Sequence, residues 1–380
     1  MKLLFVFLFL FSSCSFFIDS IENTPKIKQQ VKAKKNLYCI NEKQSLYADH
    51  PISKLIFKNI LKKNTHLNFI EKSLLWAIFQ FYNSPQSFSP SARLQVIVKW
   101  NGTFKYYDFA TGQNPALSGI QSLIKKYSKK RFLSLLSIIE KDLPKRIPVN
   151  SDLANFLNKN KSQKLGKVFY KANETLKKGE TFPKVSLIST LTKLTTNTVL
   201  NESPTITHKG NNCSPDVEKS SVYSQGLNNQ VIGISDDKDN FFIASASLDT
   251  SDIKVRHKGR IILGAPGRPS SFCILNGPHK TTAIVSFKER SPGQILLRFL
   301  EKLPNDFGPL EIDKALHLPR SMYLQFPDRL LVEEKIFTPI PQYHTTSLGR
   351  LLIYHNSSQS SFSGFINDPR SDNELKCLRK

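Results

Sequence analysis

Apolar residues alternate with polar ones in two different rhythms along this chain, and the rhythm changes near its middle. From His66 to Tyr82 the apolar positions Leu67, Ile70, Leu74, Leu75, Ile78, Phe79 and Tyr82 recur at helical spacing. Asn83-Ser84-Pro85 then stops the pattern, because proline cannot continue a helix. Two strand-like runs follow, Leu94 to Trp100 and Thr103 to Phe109, joined by Asn101-Gly102. A two-residue Asn-Gly loop suits a type I′ turn, in which both positions need positive φ. The predicted hairpin pairs Trp100 with Thr103, Val98 with Lys105, Val96 with Tyr107 and Leu94 with Phe109.

One helix is expected over residues 119–142, with Ile120, Leu123, Ile124, Tyr127, Phe132, Leu135, Leu136 and Ile139 on one stripe. Lys125, Lys126, Lys129 and Lys130 crowd its other face, as on a solvated polar face. Ser151 reads as the N-cap of a helix pair ending at Gly179.

Residues 201–228 carry Asn, Ser, Pro, Gly and Thr without apolar period and read as a linker. Beyond them come short apolar runs, Val231 to Ile234, Phe241 to Ser247, Arg260 to Leu263, Ser271 to Leu275 and Thr281 to Phe287. Polar turns separate these runs, as between antiparallel strands. Pro292 to Leu303 reads as a helix and Leu348 to Tyr354 as a late strand. The expected class is α+β: a mainly helical part with one hairpin, then an antiparallel β-rich part. The divisions are 1–13 leader, 14–50 tether, 51–200 helical domain with hairpin 94–109, 201–228 linker, 229–367 β-rich domain and 368–380 polar tail.

The first residues carry a different message. Met1-Lys2 precedes nine apolar residues, Leu3 to Phe11, and then Ser12-Ser13-Cys14. This is the layout of a secretory signal peptide, too short to span a bilayer. Small residues followed by Cys at the end of such a run resemble the lipobox of bacterial lipoprotein precursors. The resemblance covers residues 1–14 and implies lipidation at Cys14, hence a cell-envelope location held by a lipid. Ser15 in the next position implies the outer rather than the inner membrane by the same likeness. Without Cys14 the chain keeps Cys39, Cys213, Cys273 and Cys377, an even number that suits an oxidising compartment. Three connectivities are open. If each half keeps its own pair, the bridges are Cys39–Cys213 and Cys273–Cys377, while Cys273 in its apolar run also suits a small buried hydrophobe.

Charge changes the picture once more. The chain has a formal net charge of +24, of which residues 1–228 hold +20 with 31 Lys and only 3 Arg. Lys26, Lys28, Lys32, Lys34 and Lys35 lie in an acid-free stretch close to Cys14. A lipid chain next to a polybasic segment is a two-signal membrane anchor. An AT-rich genome favours Lys for solubility and explains the overall excess equally well. Anionic lipid and an anionic envelope polymer are the partners that fit, whereas nucleic acid is not expected for an exported, Arg-poor basic half.

Sequence motifs for chemistry are sparse in this chain. Ser122-x-x-Lys125, Ser235-x-x-Lys238 and Ser251-x-x-Lys254 match a Ser-x-x-Lys pair, at the number chance supplies in so Ser- and Lys-rich a chain. No two His are three to five residues apart, so no helical zinc pair exists, and no cofactor or metal is expected. Asp236 to Asn240 is rich in oxygens but reads as a polar hairpin loop. Two functions stay open: a lipid-anchored envelope protein with a binding or structural role, and an envelope hydrolase of wall or lipid whose site residues are distant in sequence.

Overall fold

The computed structural model describes residues 44–48, 50–161, 165–194, 200–217, 227–256, 261–288, 291–324, 328–345, 348–359 and 362–371. Cys14, Cys39, Cys377 and Lys26, Lys28, Lys32, Lys34 and Lys35 lie outside these residues. The helices are α1 (Pro51–Lys63), α2 (Phe69–Asn83), α3 (Pro115–Tyr127), α4 (Phe132–Asp142), α5 (Ser151–Lys159), α6 (Ile188–Leu191), α7 (Pro292–Glu301) and α8 (Pro309–His317). The early strands are β1 (Gln44–Ala48), β2 (Arg93–Trp100), β3 (Thr103–Phe109), β4 (Arg146–Pro148), β5 (Tyr170–Lys171), β6 (Glu174–Thr175), β7 (Thr181–Pro183), β8 (Ile206–His208) and β9 (Asn211–Cys213). The later ones are β10 (Leu227–Asp236), β11 (Phe241–Arg256), β12 (Ile261–Pro266), β13 (Ser271–Gly277), β14 (Lys280–Phe287), β15 (Ser321–Leu324), β16 (Arg329–Val332), β17 (Gln342–His344), β18 (Arg350–Ser357) and β19 (Phe362–Asn367).

Two six-stranded sheets carry the fold. One runs β1-β10-β11-β2-β3 with β12 also on β11, and the other runs β19-β18-β14-β13-β9-β8. Strand alternation sends each face to a different core. Tyr47, Ile97, Tyr106, Val231, Phe241 and Ile243 of the first sheet meet Phe272, Ile274, Val285, Leu352, Tyr354 and Phe365 of the second. The other face of the first sheet (Leu94, Val96, Val98, Ile232, Ile234, Ala244) packs with helices α1–α4, where Phe57, Trp76 and Phe79 stack. The far face of the second sheet (Cys273, Ile284, Ile353, Ile366) buries α7 and α8. The result is helix, sheet, sheet, helix in four layers, an α+β architecture of mainly antiparallel strands.

The β2–β3 hairpin has the predicted register, with Asn101 and Gly102 both at positive φ. Its β2 pairs directly with β11, so strands from before and after residues 201–228 share one sheet. That segment is itself structured where it is described, because β8 and β9 extend the second sheet beside β13. Residues 119–142 form two helices rather than the expected one. Ser128 is extended, its hydroxyl donates to Glu71 Oε1 and accepts from the Lys130 amide, and these side-chain bonds end α3. Asn150 rather than Ser151 caps α5, accepting from the Leu153 amide at 2.7 Å. The second helix expected before Gly179 is replaced by the short β5–β6 ribbon, with Ala172 and Asn173 at positive φ in its turn.

The cysteine pairing also differs from expectation. Cys213 and Cys273 face each other across β9 and β13 with Cα atoms 4.0 Å apart, and they form a disulfide. Direct cross-strand opposition, invisible to sequence spacing, selects this pair. It closes a loop of sequence separation 60, for which the chain-entropy account gives about 4 kcal/mol.

A buried charge network fastens the late elements. Arg320 Nη2 donates to Asp368 Oδ2 at 2.6 Å, and Asp368 also accepts from the Leu351 amide at 2.8 Å. Arg370 grips Glu333 through Nε at 2.6 Å and through Nη2, while its Nη1 donates to the Leu316 carbonyl. Burial alone would keep Asp368 neutral, but the two guanidiniums hold its carboxyl below the usual carboxylate range. The start of the segment expected as a polar tail thus closes the second sheet against α8.

Two predictions follow from these buried ionisable groups. Asp368→Ala strands Arg320 without its counter-charge and should lower unfolding stability by about 3–5 kcal/mol in urea titrations. His355 bonds Thr282 Oγ1 through Nδ1 at 2.8 Å between the Phe307 and Phe362 rings. Burial, and then Lys280, push its pKa down to about 4. A base whose folded pKa is depressed destabilises the fold as it gains its proton. Stability should therefore fall by up to about 3 kcal/mol as pH drops from 6.5 to 4. His355→Gln should flatten that stretch of the stability profile.

Candidate functional site

The layer between the sheets is apolar at its centre and turns polar at both ends, over two strand rows at one of them. Cross-strand registry shows the change row by row. Gly233, Ile243, Ile97 and Tyr106 form one row. The next holds Val231, Ser245, Gln95 and Asp108, and the one beyond holds Asn229, Ser247 and Arg93. All these side chains share the parity that faces the second sheet, where Ser270 precedes β13.

Hydrogen bonds join them into one network. Gln95 Oε1 accepts from the Ser270 amide at 2.7 Å, and Gln95 Nε2 donates to Tyr106 OH at 2.9 Å. Tyr106 OH donates to Asp108 Oδ2 at 3.2 Å. Asn229 Nδ2 donates to Ser270 Oγ at 2.9 Å, Ser245 Oγ donates to Asn229 Oδ1 at 3.1 Å, and the two serine hydroxyls lie 2.6 Å apart. Ser247 Oγ donates to the Arg268 carbonyl. Gln95, Tyr106, Asn229, Ser245 and Ser270 are all buried.

Toward solvent the network ends in charge. Arg93 holds Asp108 through Nε at 2.8 Å and through Nη2, and Asp216 Oδ2 stands 3.9 Å from the same Nη2. Burial works against the Arg93 cation, but the Asp108 hydrogen bond and charge outweigh it and raise its pKa. Burial, then the Asp108 charge, push the Tyr106 phenol far above its ordinary value, so it stays a neutral donor. This end therefore joins buried carboxamides and hydroxyls, bonded to one another, to a fixed guanidinium–carboxylate pair. Such groups both donate to and accept from an amide or carboxyl function.

The opposite end of the same layer is closed by a structural bridge. Lys99 Nζ binds Asp239 and also donates to Thr281 Oγ1, while Tyr354 OH donates to Asp239 Oδ1 at 3.0 Å. The adjacent Asp236–Asn240 stretch is a polar hairpin loop, as expected, since Asp236 Oδ1 accepts from the Lys238 and Asn240 amides. A third polar junction joins Asp152 of α5 to Lys288 and to His50 at 3.3 Å. Burial opposes ionisation there, but Lys288 and His50 hold the Asp152 carboxyl well below its usual range.

Of the residues singled out by sequence, Cys213 and Cys273 come together, on the face of the second sheet away from this site. None of the Ser-x-x-Lys serines belongs to the network. Sequence reading missed Arg93, Gln95, Asn229, Ser245 and Ser270. A signal existed in Ala244-Ser245-Ala246-Ser247, where hydroxyls alternate with methyls in an otherwise apolar strand. Asn229 lay at the edge of the segment read as linker.

No family model matches the chain, and no curated protein matches it in sequence. Solved structures do match in fold. Two structures, LmbA2991T421A and LmbA2991HD, superpose with TM-scores of 0.65 and 0.64 at 10% identity, over 89% of this chain and 98% of theirs. Cephalosporin acylase from Bacillus halodurans superposes with a TM-score of 0.61 at 11% identity, over 92% of this chain and 98% of the acylase. The four-layer sandwich is thus the fold of these proteins across almost their whole length.

The network makes a direct prediction. Gln95→Leu leaves the Ser270 amide without its acceptor and the Tyr106 oxygen without its donor, and should lower stability by about 1–3 kcal/mol in urea unfolding. A variant as stable as the parent would show that the amide bridge between the sheets contributes nothing.

Proposed function

We propose that this chain is an exported, Cys14-anchored envelope protein that binds an amide-bearing ligand at the polar end of its acylase-type sandwich. The observation that carries this reading is the replacement of apolar side chains by Gln95, Asn229, Ser245 and Ser270 over one end of the intersheet layer. Buried polar groups cost stability relative to well-packed apolar ones, so a core that spends two rows on them has a use for hydrogen-bond recognition. The lipobox-like Cys14 and the lysines Lys26, Lys28, Lys32, Lys34 and Lys35 support apposition to an anionic membrane, with the outer membrane favoured by Ser15.

Hydrolysis of the bound amide is the second reading, and the fold shared with an acylase favours it. It requires one hydroxyl to give up its proton to a base. Within the described network the Ser245 and Ser270 hydroxyls meet each other and the Asn229 carboxamide, so binding is the better-supported function of these side chains.

Calorimetric titration of the mature protein with short N-acyl amino acids and their unacylated counterparts tests the proposal. Saturable binding of the acylated compounds, weakened at least tenfold by Asn229→Leu, is expected, and no binding by any member of the series would overturn it. Mass spectrometry of the incubated compounds reports cleavage, which would favour the hydrolase reading. Intact mass of membrane-extracted protein should show a diacylglyceryl group on Cys14.

A further inference from the structure

The polar end of the sandwich is closed from the side by one stretch of chain, residues 203–217, whose two ends are held in unequal ways. At its start the Ser203 amide donates to the Tyr106 carbonyl at 2.8 Å, and Ser203 Oγ accepts from the Asp108 amide at 2.9 Å. These bonds lie on the outer edge of β3, the last strand of the first sheet. Beside them stand the Lys105–Glu202 pair at 2.7 Å and the partly buried Leu200. The stretch then forms β8 and β9, where Thr207, Lys209 and Asn212 are exposed and Ile206 is partly buried against the core of α7 and α8.

Its far end is fixed. Cys213 is bonded to Cys273 and fully buried, and the Ser214 amide donates to the Phe272 carbonyl while Ser214 Oγ accepts from the Phe272 amide. Val217 is buried against α7, where a Cβ on Gly293 would stand 2.3 Å from the Val217 carbonyl oxygen. This fixed end also borders the network, since Asp216 lies 3.9 Å from Arg93.

We infer that residues 203–217 are a hinged strap over the polar end of the sandwich, anchored at Cys213–Cys273 and opening from the Ser203 end. Release of two edge hydrogen bonds and one solvent-screened ion pair frees the margin of β3 next to Tyr106 and Asp108. The disulfide, the Ser214–Phe272 pair and the α7 contact keep the other end in place. Sub-global opening of this kind starts where buried apolar contacts are fewest. The inference rests on the polar network being a ligand site, for which the strap would be the entry.

Hydrogen exchange on the full mature chain tests it without any ligand. The Ser203 and Asp108 amides should exchange at least a hundredfold faster than the central β11 amides, while the Ser214 and Phe272 amides stay protected. Ser203→Ala should speed Asp108 exchange about tenfold further and leave Phe272 unchanged. Cys213→Ser with Cys273→Ser should speed Ser214 and Phe272 exchange as well. Exchange of Asp108 at the rate of β11 in the parent protein would overturn the inference, as would acceleration of Phe272 by Ser203→Ala. Failure of ligand titrations with the expected exchange pattern would sink the ligand site and leave the hinge standing.

Discussion

Face-to-face packing of two twisted sheets is the constraint on which this molecule depends. Each sheet must bury both faces, so the chain needs four layers and three cores, and the middle core can only be filled by side chains of a single strand parity. Where that parity is aromatic or aliphatic, as at Tyr106 against Phe272 and Phe241 against Tyr354, the sheets are held by area burial and ring contact. Where it is polar, every donor must find an acceptor across the gap. The two ends solve this differently. One uses a lysine–carboxylate bridge with Tyr354, and the other a set of carboxamides and hydroxyls. Both sets satisfy their polar groups within the protein.

The same constraint explains why the two halves of the sequence are inseparable. The β2–β3 hairpin from the Lys-rich half completes a sheet begun by β10 and β11, and β8–β9 extends the other sheet. A segment poor in apolar residues can therefore be structural by supplying edge pairing, one buried half-cystine and the buried Val217. The Arg320–Asp368–Arg370–Glu333 network plays a comparable part at the far margin, where sequence suggests only a polar tail. Paired charges there add to the apolar packing that α8, β18, β15 and β16 share.

Local signals were the most legible part of this sequence. Asn101-Gly102 gave the hairpin with its register, helical spacing gave α2, and proline marked the start of α7. The class, α+β with antiparallel sheets, follows from the change of period. What sequence did not convey was long-range: which hairpin joins which sheet, which cysteines face each other, and that two Ser, an Asn and a Gln from four segments converge. Convergence is set by registry across β10, β11, β2 and β13, and nothing in the spacing of Gln95, Asn229, Ser245 and Ser270 records it. The break between α3 and α4 was hidden for a related reason, because Ser128 ends the helix through a contact with Glu71, 57 positions away in sequence.

Backbone amide chemical-shift mapping tests the central claim most directly, because it views both ends of the intersheet layer at once. On titration with an N-acyl amino acid, the largest changes are expected at Gln95, Asp108, Asn229, Ser245 and Ser270, with Lys99, Asp239 and Thr281 silent. Changes centred on the Lys99–Asp239 end, or scattered over the helices without a focus, would contradict the account.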